Sequence, residues 1–181
     1  MKKLTALGLT AISAMMLSAC VNTELSSANK QYDQNTDARI RLYGQNGRPT
    51  EMIVDPNGKA EKVIVGGSMG QAFGSLFHLK GNESIGMPES NFSKDPSQFN
   101  NIGSGAFYKE FIIPANTEIE LKSSIDTPDH QYRISSDTVM VSSMSCRSKK
   151  VTFKSQAGKD YEAVPAPSTS QCGVTLIELK K

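Results

Sequence analysis

From residue 37 onward, apolar and polar side chains alternate in short runs. The stretch "DARIRLYG" places Ala38, Ile40 and Leu42 on one side of an extended chain and Arg39, Arg41 and Tyr43 on the other. That period of two fits a half-buried strand and not a helix. Two Asn-Gly pairs, Asn46-Gly47 and Asn57-Gly58, then separate short apolar stretches. Asn-Gly supplies the positive φ angles that tight reversals require. The pattern predicts a meander of three strands near 38–43, 50–54 and 61–65. Arg39 and Arg41 are expected on its solvated face, where alternating charges of a half-exposed strand normally lie.

The C-terminal portion repeats the logic. "TEIELKSS" alternates Ile119 and Leu121 with Glu118, Glu120 and Lys122, and further strands are expected near 131–134, 138–142, 150–154, 160–164 and 173–179. Ala157-Gly158-Lys159-Asp160 reads as a turn between two of them. About nine short strands with little helical periodicity predict an all-β domain, an antiparallel β-sandwich or small barrel. A barrel spanning a membrane is disfavoured, because such strands need about 9–11 residues each.

Between the two β regions the alternation lapses. Residues 66–105 are rich in Gly and Ser and read as a long Gly-rich inserted loop, in which Gly66, Gly70 and Gly74 recur every four residues. No Gly-Lys-Ser/Thr ending marks a phosphate loop. Loops longer than about 15 residues are uncommon in compact domains unless functional or disordered. Phe73, Phe77, Met87 and Phe92 are therefore the candidate partner-binding residues of a flap or docking loop.

Composition narrows the function classes. The chain has 181 residues, 38% of them apolar, and a formal charge of +2. Both surplus charges are Lys2 and Lys3; residues 20–181 hold 18 basic and 18 acidic side chains. A neutral body has no electrostatic reason to seek nucleic acid.

The N-terminus has a different pattern. Lys2 and Lys3 precede an apolar run from Leu4 to Leu17. A helix of that length spans about 21 Å, short of the roughly 30 Å of hydrocarbon in a bilayer. Such a segment is the mark of a cleaved signal peptide. Leu17-Ser18-Ala19-Cys20 follows and resembles the lipobox of bacterial lipoproteins. The resemblance covers the first 20 residues. It implies removal of residues 1–19, lipidation of Cys20, and attachment to a membrane through that lipid. Val21 stands where an Asp would typically retain such a protein at the inner membrane, so the resemblance implies the outer membrane, with the domain facing the periplasm. The layout resembles small outer-membrane lipoproteins with a periplasmic β-domain. Residues 20–36 then read as the lipidated terminus and a flexible tether, and 37–181 as the domain.

With Cys20 lipidated, Cys146 and Cys172 remain as a pair, and an oxidising periplasm permits a disulfide between them. A meander of strands 150–154, 160–164 and 173–179 would put both at one end of a sheet.

Chemical signals are sparse. Asp126, Asp129 and His130 gather in "DTPDH", and His78 is the other histidine. No Gly-x-Ser-x-Gly elbow is present, and acid, base and nucleophile candidates are scattered. The expectation is a non-enzymatic binding or structural module of the cell envelope, needing no cofactor or metal, with an envelope protein or the cell wall as partner. The alternative is a small periplasmic hydrolase or metal-dependent enzyme built on His130 or His78.

Overall fold

The computed structural model describes residues 25–67, 81–100, 104–126, 130–143, 145–166 and 171–180. Among these, strands β1 (Asp37–Gly44), β2 (Thr50–Val54), β3 (Glu61–Val65), β4 (Phe107–Pro114), β5 (Glu118–Asp126), β6 (His130–Arg133), β7 (Val139–Ser142), β8 (Ser145–Arg147), β9 (Val151–Lys154), β10 (Asp160–Pro165) and β11 (Val174–Leu179) follow in order. One short helix, α1 (Asn91–Lys94), and a 3-10 turn at Pro96–Phe99 lie between β3 and β4.

Nine of the strands form two facing sheets that do not close into a barrel. Sheet 1 has the order β11-β10-β1-β4; sheet 2 has β3-β2-β5-β8, with β9 also on β5. Between them pack Ala38, Ile40 and Leu42 of β1, Met52 of β2, Val63 of β3, Ile113 of β4 and Ile119 and Leu121 of β5, all fully buried. Those on β1 and β5 are the apolar positions of the period-two pattern. Each of these side chains larger than alanine contributes about 1.5–3 kcal/mol by leaving water. Among the described residues no helix is long and apolar enough to cross a membrane.

The pairing departs from the expected meanders. β1 does not pair with β2: the Asn46-Gly47 reversal, with Gly47 at φ 76°, passes the chain from sheet 1 to sheet 2. The sheets nearly touch there, and a side chain on Gly44 would collide with the carbonyl of Val65. β2 and β3 do form the predicted hairpin. Likewise β9 pairs with β5 in sheet 2, while β10 and β11 pair in sheet 1, so the Gly158 turn also crosses between sheets. β10 lies parallel to β1, so sheet 1 is mixed. Alternation fixes which face of a strand is buried but carries no information about its neighbour.

Residues 25–36, expected as tether, pack on the domain. Leu25 is buried in the core, the Ser26 N–H and hydroxyl donate to the Glu61 carboxylate at 3.0 and 2.6 Å, and the Ser27 hydroxyl donates to Ile112 O at 2.7 Å. The expected 66–105 loop is in part a strap: residues 81–100 run along β4 and across the outer face of sheet 1. Glu83 N–H donates to Tyr108 O, and Glu110 N–H donates to Glu83 O.

Candidate functional site

Two features stand apart from ordinary sandwich packing. The first lies beneath the strap. Arg41, expected in water, is 1% exposed, because the outer face of β1 is covered. Register places Glu162 of β10 on one side of it and Glu110 of β4 on the other. Arg41 Nε and Nη2 donate to Glu110 Oε1 at 2.9 and 2.5 Å, and Nη1 donates to Glu162 Oε1 at 2.9 Å. The strap completes the network. The Ser84 hydroxyl and the N–H groups of Ile85 and Met87 donate to Glu110 Oε2, and Pro88 O accepts from Arg41. The Ser90 and Tyr43 hydroxyls both donate to Glu162 Oε1, at 2.7 and 2.6 Å. Glu162 Oε2 is buried without a partner.

Two residues back along β1, on the same face, Arg39 forms a bidentate pair with Asp160 at 2.7 and 2.9 Å and lies over the Tyr32 ring, 4.4 Å from its centre. Burial pushes the Tyr43 phenol up, and its bond to Glu162 pushes it further. Burial alone would lower Arg41, but its bonds to Glu162 and Glu110 outweigh that and hold it above the ordinary guanidinium value. The carboxylates of this cluster are engaged by guanidinium, hydroxyl and backbone donors. Its chemistry is that of a lock: it fastens the strap to sheet 1.

The second feature is an arm. β6 and β7 pair only with each other among the described strands. They continue the β5–β8 hairpin, which pairs Asp126 with Ser145 at its outer end. Ile134, Val139, Met140 and Val141 on the arm are 65%, 49%, 52% and 54% exposed. Exposed apolar side chains gathered in this way mark an interaction surface more than scattered ones do. The strand 138–142 was expected from sequence, but its exposure was not. The available signal was a run of nine uncharged residues, Thr138 to Cys146, with apolar side chains on both faces.

The sequence-predicted residues fall as follows. Cys146 and Cys172 are joined, with Cα atoms 6.0 Å apart. Met87 is buried, and Phe92 is half-buried and stacked on Phe99 at 5.5 Å between ring centres; both pack the strap onto the domain. Cys20, Phe73, Phe77, His78 and Asp129 lie outside the described residues. Asp126 and His130 are placed by backbone only, on β5 and β6. Among the described residues no three His, Cys, Asp or Glu side chains are grouped to hold a metal ion. No protein-family model matches the chain, and neither a curated protein nor a solved structure matches it.

Proposed function

We propose that this chain is a lipid-anchored module of the bacterial outer membrane, facing the periplasm, whose β-sandwich is a non-enzymatic binding or structural element of the cell envelope. The observation that carries this reading is the Leu17-Ser18-Ala19-Cys20 junction placed five residues before Leu25, where the chain joins the core. Five residues reach at most about 18 Å, so a lipid on Cys20 would hold the body close to the bilayer.

The body's geometry supports a presenting role. Ser26 is bonded to Glu61, which pairs with Val54, itself opposite Ile119 at the start of β5. The arm leaves from the other end of β5, at Asp126, seven residues on from Ile119, about 23 Å along the strand. Ser26 and the arm therefore lie at opposite ends of sheet 2, so a lipid on Cys20 would leave the arm pointing away from the bilayer.

Mass spectrometry of the mature protein tests the anchor. The expected result is residue 20 at the N-terminus carrying acyl chains, with Cys20→Ala giving an uncleaved or released form. Cys20 unmodified in a chain still beginning at Met1 would overturn the reading.

A further inference from the structure

We propose that the open edge of β7 pairs with β7 of a second copy of this chain, antiparallel, about a two-fold axis through Met140. The proposal concerns the arm alone and holds whether or not Cys20 carries lipid.

Three observations lead to it. Among the described residues no other strand pairs with this edge, and its sequence does not guard it: natural edge strands are blunted with Lys, Pro, bulges or a covering element, and Thr138–Cys146 contains no charge and no proline. An isolated two-stranded hairpin is marginal in water, and this one exposes apolar side chains on both faces.

The strand is also nearly its own reverse. "TVMVS", read about Met140, sets Val139 opposite Val141 and Thr138 opposite Ser142. A two-fold interface requires such self-complementarity, because each residue meets its symmetry mate's partner. No like charges are brought together along this edge.

The hydrogen-bonding phase agrees. Ile134 N–H donates to Thr138 O at 2.9 Å, and Tyr132 is opposite Met140 in the same ladder. In antiparallel pairs, bonded and non-bonded positions alternate, so the N–H and C=O of Met140 point toward β6. Those of Val139 and Val141 point to the open edge. A two-fold centred on Met140 makes Val139 and the mate of Val141 a hydrogen-bonded pair. Met140 then faces its own mate at a non-bonded position, where Cα atoms lie about 4.5 Å apart. The result is a four-stranded ribbon formed from two arms. A phase shifted by one residue would instead make Met140 and its mate the hydrogen-bonded pair.

Disulfide trapping tests the register. The background is the full chain with Cys20→Ser, in which Cys146 and Cys172 bridge each other. Met140→Cys is expected to give a species of twice the chain mass on mild oxidation, at least tenfold more than Gln131→Cys on β6. Thr138→Cys mixed with Ser142→Cys is expected to crosslink more than either alone, because those positions face each other across the axis. Met140→Lys, which sets two ammonium groups face to face, is expected to raise the concentration for half-association at least tenfold in sedimentation. Its thermal unfolding should stay unchanged, as the side chain is half exposed. Crosslinking at 140 no stronger than at 131, or no preference for the mixed pair, would overturn the proposal. Either result would leave the edge to another strand.

Discussion

Arg41 is a cation enclosed by two strands and a strap, and its two carboxylate partners are unequal. Both oxygens of Glu110 accept, Oε1 from Arg41 and Oε2 from Ser84, Ile85 and Met87. Only Oε1 of Glu162 does. Glu110→Gln must turn an NH₂ group toward existing donors whichever way the amide lies. At about 1–3 kcal/mol for each buried group left unpaired, a loss of about 3 kcal/mol or more is expected. Glu162→Gln keeps its accepting oxygen, places the NH₂ where no partner exists now, and removes one of two negative charges from around a single guanidinium. A change within about 1 kcal/mol is expected, and denaturant unfolding of the two variants separates the cases. Arg41→Ala leaves two buried carboxylates without their cation and should cost about 3–5 kcal/mol. None of this was legible in "DARIRLYG". The alternation showed that Arg41 lies on the face opposite Ile40, and that is so; whether that face meets water depended on the strap, whose Gly- and Ser-rich sequence shows no period.

Strands were easier to locate than their partners. The ranges expected for β2 and β3 coincide with those observed, because Asn-Gly turns and β-branched runs act locally. β4 was missed. Its inward positions, set by pairing with Ala38, Ile40 and Leu42, are Ile113, Phe111 and Lys109, and a lysine at an edge-strand inner position breaks the pattern. The parallel β1–β10 pair joins segments 121 residues apart, and no local signal connects them. The segment 25–36 was misread for a related reason: it is polar, and it is held by hydrogen bonds as well as by one buried leucine. Those bonds predict acid sensitivity. Bonds from Ser26 hold the Glu61 carboxyl below its ordinary value of 4.5. For Asp37 (ordinary value 3.8), burial acts upward, but the bonds from Lys30 and the Asp33 N–H prevail and hold it low. A carboxyl depressed in the folded state stabilises fully above its unfolded value, and that contribution is lost as pH falls through the folded one. Amide-exchange protection at Ser26 should therefore persist near neutrality and decline below about pH 4.5. In Glu61→Gln the decline should be smaller. Equal protection at about pH 6 and pH 3 in the native chain would count against this docking.

At the scale of the molecule, the two sheets are joined by apolar packing, by tight chain crossings at Asn46-Gly47, at residues 115–117 between β4 and β5, and at Gly158, and by the Cys146–Cys172 bond. Cys146 belongs to β8 of sheet 2, and Cys172 precedes β11 of sheet 1. The bridge was foreseen from the cysteine count, but its expected setting, one end of a single meander, was wrong because β9 lies in the other sheet. As built, the bond spans the sandwich at the end from which the arm leaves, since Cys146 pairs with Ile125 near the end of β5. Around it the Ser123 hydroxyl donates to Gly173 O and accepts from Gly173 N–H, both at 3.0 Å, so the covalent link and the polar clasp hold the same corner. The closed loop spans 26 residues, for which chain-entropy reasoning gives about 3.5 kcal/mol. Cys146→Ser or Cys172→Ser should lower stability by about 2–5 kcal/mol, and the double variant by no more than either single one, because both remove the same bond. Non-reducing peptide mapping of the protein isolated without reductant should recover the two cysteines linked. Since the arm grows from this corner, its amides should exchange faster in the single variants, while those of β1 and β10, which carry the Arg41 network, change only with global stability. Faster exchange in β1 and β10 with the arm unaffected would show that the bond braces the sandwich generally and not the root of the arm.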